Sequence, residues 1–474
     1  MEIQFQLPEA VEKIIKKVES FGFEIYIVGG AVRDILMKKK VADWDFATNA
    51  KPQDILNIFP KAFYNNKFGT VGLAQDAEVY EITTYRSEGV YRDFRHPQKI
   101  TWGKTIEEDL KRRDFTTNAM ALRFATRDQR LETRKKTGWQ LATGSWRLSL
   151  IDPFGGQKDL EKKIIRAVGD PNQRFTEDAL RLLRAIRIAT ELGFLIEPDT
   201  FLAIQKNASL IKKISGERIR DEIFKILATD HPADGFQILK NSHLLKETLP
   251  ELEACFGVEQ ASPGRHHIYD VGTHLLKSLD NCPSKDPLVK FATLLHDIGK
   301  PKVQGQDIKG AITFYNHEVV GARMARDIAN RLHLSRRERE KLVTLVRWHQ
   351  FTVDEATTPA AVRRFVLRVG VENIKEMIDL RIGDRLGGGL KEATSWRLRR
   401  FMKMIDEELH PPFKVTDLAI SGHDVMRKLG IGPGPRVGEI LNQLFEEVVE
   451  QKDKNTKEYL LKRLQEIKKQ GNQQ

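Results

Sequence analysis

The spacing of hydrophobic positions changes about a third of the way along the chain, and the change divides the expected fold. Before it, PEAVEKIIKKVESFG places its apolar residues on one helical face, EIYIVGG is a short apolar strand, and AVRDILMK returns to helix. DWDFAT and EVYEITTYR then alternate as strands do. From Asp159 onward the helical period dominates, most clearly in TEDALRLLRAIRIATELGF and SGERIRDEIFKILATD. The pattern predicts an α+β protein, a small α/β head followed by an almost wholly helical remainder. Thr126–Leu150 has no clear period and is rich in Arg, Lys, Thr and Gly, so it reads as an inserted hairpin or loop. Helix breakers cluster near Asp170-Pro171, Ser262-Pro263-Gly264 and Pro411-Pro412 and mark boundaries. No internal repeat stands out, and the polar end KKQGNQQ reads as frayed.

Composition narrows the partners. A chain of 474 residues is too long for one core, and 40% hydrophobic residues suffice to build several. The net charge of +12 favours a polyanionic partner through counterion release, with RNA, DNA and membrane surfaces all open on this ground alone. Cys255 and Cys282 have neither metal-binding nor disulfide spacing, which fits a reducing cytoplasm. The start MEIQFQLPEAVEKIIKK lacks a basic segment leading into an apolar one, and no stretch reaches the length of a bilayer span. The expectation is a soluble, unprocessed, cytoplasmic protein without membrane contact.

Chemistry begins at the turn after the first apolar strand. Gly29-Gly30 lets backbone approach a phosphate, with helix N–H groups and the Arg33 guanidinium as donors; a plain strand-to-helix turn is the other reading. In Asp43-Trp44-Asp45, alternation puts both carboxylates on one strand face, where they repel unless a divalent cation lies between them. Mg²⁺ favours carboxylate and phosphate oxygens, and such ions align an attacking 3′-hydroxyl and polarise a leaving pyrophosphate. Taken alone, the two acids equally describe a solvated turn.

GG-x-x-R-D followed by D-x-D resembles the nucleotidyltransferase superfamily that includes DNA polymerase beta. EVYEITTYRSEGVYRDFRHP, EEDLKRRDFTTNAMAL and IDPFGGQKDLEKKIIRAVGDPNQRFTEDALRLLRAIRIATELGF together resemble the head and neck of the bacterial class II tRNA nucleotidyltransferase and poly(A) polymerase family, from about Ile25 to Phe194 and in that family's order. The resemblance implies a polymerase-beta-like head at 1–153 and a helical neck at 154–260. It makes Asp43 and Asp45 Mg²⁺ ligands with Glu81 a third carboxylate, gives Gly29, Gly30 and Arg33 the triphosphate, and brings Arg113 and Asp114 to the nucleotide sugar. Asn118 shapes the pocket, with Arg112 a neighbouring cation; a helix-end salt bridge is the alternative for one of the arginines. CTP, ATP and the acceptor end of tRNA are the implied partners. A short link was to be expected between NAMAL and DPFGG, and the insertion departs from it.

The neck supplies a selection rule. Thr176 reads as the N-cap of TEDALRLLRAIR, so Glu177 and Asp178 either complement the helix dipole or face a ligand. Asp178, Arg181, Arg184 and Arg187 recur every three residues as a drifting polar stripe, opposite Leu182, Leu183, Ile186 and Ala189. Cytosine and adenine both offer an exocyclic amine beside a ring nitrogen acceptor, which suits a carboxylate paired with a guanidinium. Uracil and guanine reverse that pattern and would leave Asp178 and Arg181 unpaired, which is costly. The resembled family gives EDxxR this role and keeps Arg184 and Arg187 near the phosphates or base.

Downstream, RHHIYDVGTHLLK, LLHDIGK, YNHEVVGARMA, VRWHQF and IGDRLGGG carry His274, His296, Asp297, His317, His349 and Asp384 in order. Imidazoles and carboxylates converging from several helices suit one or two divalent transition metals, with His317 and His349 completing the second ion. This stretch, about Gly264 to Gly389, resembles the HD phosphohydrolase superfamily, whose members cleave phosphoesters with metal-activated water. The implied domain spans 261–395, and trimming of 2′,3′-cyclic phosphates or 3′-phosphates before nucleotide addition is the implied use. The last segment, 396–474, contains GIGPGPRVG entering a helix. This is either an ordinary connection or a set of N–H groups presented to RNA phosphate, and it resembles the tail of HD-bearing CCA-adding enzymes. Addition of C, C and A to tRNA is the leading expectation. A poly(A) polymerase or a CC- or A-adding enzyme shares its motifs, an HD phosphohydrolase with a nucleotide-binding head is the rival of another class, and a non-catalytic RNA-binding protein would not need two metal constellations.

Overall fold

The protein is described by a computed structural model covering residues 2–64, 69–75, 78–88, 100–124, 145–260, 269–351, 353–354, 356–409 and 414–471. The boundary signals at Ser262-Pro263-Gly264 and Pro411-Pro412, and positions 126–144 of the insertion, lie outside the described residues. Chain contacts separate two units, Met1–Glu253 and Ala254–Gln474, so the expected neck falls largely within the first.

The first unit is built on an eight-stranded mixed sheet. Its strands are β1 (Glu2–Gln6), β2 (Ile25–Val28), β3 (Asp45–Thr48), β4 (Phe63–Tyr64), β5 (Thr70–Gln75), β6 (Glu78–Thr84), β7 (Ala121–Phe124) and β8 (Ser145–Ile151), in the order β1-β8-β7-β2-β3-β6-β5-β4. The described end of the expected insertion is therefore β8, paired antiparallel to both β7 and β1 rather than looped out. Helices α1 (Glu9–Ser20) and α2 (Gly30–Leu36) flank β2. Helix α3 (Ile106–Lys111) buries Ile106 and Leu110 against Tyr26, Val28, Ala47 and Tyr85. Helix α4 (Gly156–Glu161) is capped by Asp152, whose carboxylate accepts from Gly156 N and Gln157 N. A Cβ at Gly156 would collide with the Thr116 carbonyl, so IDPFGG is the surface on which RRDFTTNA rests.

Two expectations for the neck need correction. Thr176 is not an N-cap. Asp170 and Pro171 start a helix earlier, α5 (Pro171–Glu177), and the Thr176 hydroxyl donates back to Asn172 O and Gln173 O in its last turns. Asp178 is not on the same helix as its arginines. It is extended (φ −138°, ψ 106°), and its side chain accepts from Leu180 N at the start of α6 (Leu180–Leu192). An aspartate that captures a nearby N–H competes with helix continuation, so the run breaks there. The apolar side of α6 packs as expected, with Leu182, Leu183, Ile186 and Ala189 buried. Helix α7 (Gly216–Leu227) lies against it.

The second unit is helical: α8 (Val271–Asp280), α9 (Pro287–Leu295), α10 (His317–Arg331), α11 (Arg336–Trp348), α12 (Pro359–Val369), α13 (Ile374–Gly387), α14 (Trp396–Glu408), α15 (Gly422–Leu429), α16 (Pro435–Glu450) and α17 (Lys457–Gly471). Buried Arg363 of α12 donates to Glu408 of α14 and to the Val449 and Glu450 carbonyls at the end of α16, a cation where helix carbonyls lack partners. GIGPGPRVG connects α15 to α16, with Gly430 in the left-handed region (φ 74°) and Pro435 opening α16. The part of KKQGNQQ that is described, positions 468–471, continues α17 instead of fraying, and the last three positions lie outside the described residues.

Candidate functional site

Parallel pairing of β3 with β6 sets Asp45 directly beside Glu81. Asp43 precedes β3 rather than lying within it, and Trp44 is buried between an exposed Asp43 and a half-buried Asp45. Burial pushes the Asp45 carboxyl up, against the pull of Arg113, and the Asp43 charge adds to the rise. Glu81 rises through burial and the charges of Asp45 and Asp43. Two carboxyls raised by burial and by the charge of neighbouring acids mark a place where positive charge is wanted.

The glycine turn closes on the same point. Gly29 has φ 71°, and a Cβ there would come within 3.1 Å of Arg113 Nη1 and 3.3 Å of Asp45 Oδ2. Arg33 is buried; its Nε donates to Asp34 (2.9 Å) and its Nη1 to Asn118 Oδ1 (3.2 Å), joining two motifs 85 residues apart. Arg112 and Arg113 are both held by buried Asp109, at 2.7 Å and 3.2 Å. Arg113 Nε is buried without a hydrogen-bond partner among the described residues, so donor capacity is left in the pocket. Asp114 is committed inward: Phe115 N donates to Oδ1 (2.9 Å) and Arg184 Nε to Oδ2 (2.7 Å). Although burial opposes its charge, Arg184 and Arg181 lower the Asp114 carboxyl to about 2. Arg184 also pulls on Asp45, so α6 reaches the carboxylates.

Asp178 and Arg181 do not pair with each other. Asp178 Oδ2 accepts from Arg218 (3.2 Å), while Arg181 donates to Glu177 (2.8 Å), to the Arg174 carbonyl and to the Arg112 carbonyl (3.1 Å). Arg187 is turned to Glu222 (2.7 Å) and Glu191 (3.1 Å), engaged within the neck rather than with the head carboxylates. Asp109, Arg218 and Glu222 were not singled out in the sequence. Asp109 was legible, since i, i+3 and i+4 positions share a helix face, whereas the other two act across distances no local pattern reports.

In the second unit six side chains from five helical segments meet. His274 Nε2 and His296 Nε2 lie 3.2 Å apart, each 3.2–3.5 Å from Asp297 Oδ2 and 3.3–3.6 Å from Asp384 Oδ1. Asp297 Oδ1 faces the other way, 3.1 Å from His317 Nε2 and 3.5 Å from His349 Nε2, which are 3.3 Å from each other. His296, His317 and His349 bond through Nδ1 to the Thr293, Phe314 and Val346 carbonyls. A neutral ring that donates there presents its Nε2 lone pair inward, and paired lone pairs at such distances call for a cation between them. Bonds of about 2.1 Å at tetrahedral or octahedral angles separate ligand atoms by about 3.0–3.4 Å. The donor set therefore fits two ions bridged by Asp297. Burial disfavours charge on His296, yet Asp297 and Asp384 push its imidazolium up to about 10. Both carboxylates sit well below their usual range despite burial, Asp297 through Lys300 first and Asp384 through His274 and His296.

Glycines make the convergence possible. A Cβ at Gly383 or Gly387 of α13 would strike Ser278 of α8, and one at Gly299 would strike the His317 carbonyl. Buried Lys300, also missed, donates to Asp297 Oδ2 (2.6 Å) and Gln260 Oε1 (2.7 Å). Its signal was its place in HDIGK. Arg381 holds Asp384 Oδ2 at 2.9 Å. A cleft of about 340 Å³ opens above the cluster. Among the described residues, the two sets of three donors within 4.8 Å of one another both belong to this cluster.

Comparison with known proteins agrees along the chain. The Poly A polymerase head domain matches residues 25–166 and the HD domain residues 265–387. The family described as the probable RNA and SrmB-binding site of polymerase A matches 193–256, and the one described as tRNA nucleotidyltransferase domain 2, putative, matches 402–464. The CCA-adding enzyme of Pediococcus pentosaceus is 30% identical over 465 residues, 97% of this chain and 98% of that protein. That of Geobacillus stearothermophilus is 40% identical over 233 residues, and this alignment spans about half of each, 49% of this chain and 52% of the relative. The solved Bacillus stearothermophilus CCA-adding enzyme in complex with CTP superposes with a TM-score of 0.67 at 26% identity, covering 98% of this chain and all of that one. Among the described residues, no helix is long and apolar enough to cross a membrane.

Proposed function

From the premise that the chain belongs to the CCA-adding enzyme family of tRNA nucleotidyltransferases, which 30% identity across 97% of its length establishes, we propose that it adds C, C and A to the 3′ end of tRNA in the cytoplasm, from CTP and ATP. The observation that carries this is the pairing of Asp45 beside Glu81, under Gly29 and Arg113 and next to Asp43. The 3′-hydroxyl attacks the α-phosphorus; a new P–O bond forms and pyrophosphate leaves. Asp43, Asp45 and Glu81 would hold Mg²⁺, which neutralises charge on the reacting oxygens. Arg33, kept in place by Asp34 and Asn118, and Arg113, kept in place by Asp109, bind the triphosphate around the close backbone turn of Gly29 and Gly30. Asp114 acts on the nucleotide through Arg184. Asp178 accepts from the exocyclic amine of C or A and Arg181 donates to the ring nitrogen, with Glu177 and Arg218 aligning the two. Arg187 supports the helix from behind.

The HD cluster carries a second activity, metal-dependent phosphoester hydrolysis. His274, His296, Asp297 and Asp384 would hold one divalent transition metal, and Asp297, His317 and His349 another, supplying an activated water. Lys300 and Arg381 fix the two carboxylates.

tRNA lacking its terminal CCA, incubated with CTP and ATP separately and together, tests the first activity. Product that ends in CCA and stops supports it, an extended A tail supports a poly(A) polymerase, and no incorporation refutes both. Asp45→Ala should abolish transfer. Asp297→Ala should abolish hydrolysis while addition continues, and a fully hydrolytic Asp297→Ala protein removes the cluster as the seat of that activity.

A further inference from the structure

The cleft over the HD cluster has a floor that needs nothing more than a phosphate, yet its rim is built for something larger. Tyr315 lines the cleft and is 73% exposed. Of the large aromatics exposed in the described part of this unit, the other is Trp396, which does not line the cleft. Tyr315 is held outward by its neighbours. Phe314 is buried and its carbonyl accepts from both His317 Nδ1 (2.8 Å) and His317 N (3.3 Å), while Asn316 sits in the left-handed region at φ 61°. Asparagine tolerates that conformation and β-branched or bulky residues do not, so the turn is fixed to within one residue of a metal-facing imidazole. Gln350, exposed and next to His349, adds an amide to the same rim. A simple phosphate would be satisfied by the cluster with Lys300 and Arg381. A solvent-facing phenol with an amide on the same rim is instead the equipment that stacks and borders a nucleobase.

We propose that Tyr315 is a stacking platform for the base of a nucleoside phosphoester whose phosphate lies on the HD cluster, a base-recognition residue added to the hydrolytic site. The proposal rests on the hydrolase reading of the cluster. For a 2′,3′-cyclic phosphate, the water oxygen forms a bond to phosphorus, one ring P–O bond breaks, and the water's proton ends on the leaving sugar oxygen. Tyr315 takes no part in that exchange and acts through binding.

The test compares the full-length protein, loaded with Mn²⁺, with its Tyr315→Ala and Tyr315→Phe variants on two substrates. Adenosine 2′,3′-cyclic phosphate has a base, and cyclic ethylene phosphate has the same strained ring without sugar or base. Tyr315→Ala should raise KM for the nucleotide by roughly 5- to 150-fold, the span of stacking contributions, with kcat held, while ethylene phosphate hydrolysis is unchanged. Tyr315→Phe should behave as wild type. Equilibrium dialysis of adenosine 3′-phosphate with the metal-free protein, which has no activated water, should show weaker binding by Tyr315→Ala than by wild type. A short RNA ending in the same cyclic phosphate, assayed beside the free nucleotide, tells an RNA end from a mononucleotide as the source. Unchanged nucleotide KM and binding in Tyr315→Ala, or equal losses on both substrates, overturns the platform alone. A wild-type protein that hydrolyses neither substrate overturns the hydrolase reading and the platform with it.

Discussion

Replacing Gly387 by alanine tests whether the proposed metal ligands of the HD cluster are spaced by the approach of two helices. A Cβ at Gly387 would lie 2.5 Å from Ser278 N and 2.7 Å from Ser278 Cα, and closer still to its hydroxyl, where ordinary contact is 3.4–4 Å. Two of those atoms are backbone, so no rotamer change relieves the clash and α13 must retreat from α8 by about 1 Å, at a cost of about 1–3 kcal/mol. His274 Nε2 and Asp384 Oδ1, one on each helix, start 3.3 Å apart. Their separation would grow to about 4.3 Å, whereas two ligands on one ion with bonds of about 2.1 Å can be at most about 4.2 Å apart, and only when collinear. One of the two must leave the ion. The expected result is a fall in Mn²⁺ affinity of roughly ten-fold or more by titration calorimetry, with a melting temperature in chelator lower by about 2–10 °C. CMP and AMP incorporation should be unaffected, because its residues belong to the other unit. Adding Ser278→Gly removes the hydroxyl but neither backbone atom, and so should restore only part of the loss. Wild-type metal affinity in Gly387→Ala would refute the reasoning outright.

Asp114→Asn should cost about 2 kcal/mol in denaturant unfolding; it breaks a buried pair, but Arg184 is 35% exposed and keeps some solvation. The folded Asp114 pKa of about 2 lies below the ordinary value of 3.8, so this stabilisation is complete above about pH 4 and disappears as the pH falls toward 2; a variant whose stability relative to wild type does not change across that window contradicts the assignment. Asp178→Ala should relax the preference for CTP and ATP over UTP by roughly ten-fold or more while leaving Mg²⁺ dependence intact, as read from single-nucleotide incorporation. Unchanged discrimination removes Asp178 from base selection.

Which side chains lie together was legible in part, because the expected chemistry limits the residue types: Asp45 lies beside Glu81, and four histidines gather around Asp297 and Asp384. Partners in one helical turn were legible too, as Asp109 with Arg112 and Arg113 would have been. The start of the helix before α6 differs from expectation because Thr176 satisfies a local rule that Asp170, followed by Pro171, satisfies better, six residues earlier. Arg187 looked like part of the nucleotide stripe since its partner, Glu222, is 35 residues away on another helix. Periodicity reports which face a residue shares and says nothing about what that face meets.

The HD cluster shows where such reading reaches its physical limit. Histidine and aspartate identify the donors, but a donor set becomes a two-ion site only if Asp297 can offer one oxygen to His274 and His296 and the other to His317 and His349. That division depends on α10 coming close enough for His317 to reach Asp297 Oδ1 at 3.1 Å, and the approach is permitted by Gly299, where any side chain would strike the His317 carbonyl. Gly383 and Gly387 do the same for Asp384 on the opposite side. The glycines in HDIGK and IGDRLGGG thus set the ligand distances, and they carry no mark in the sequence of which helix each one admits. Substitutions at these glycines should for that reason separate metal affinity from ligand identity, which replacing the ligands themselves cannot do.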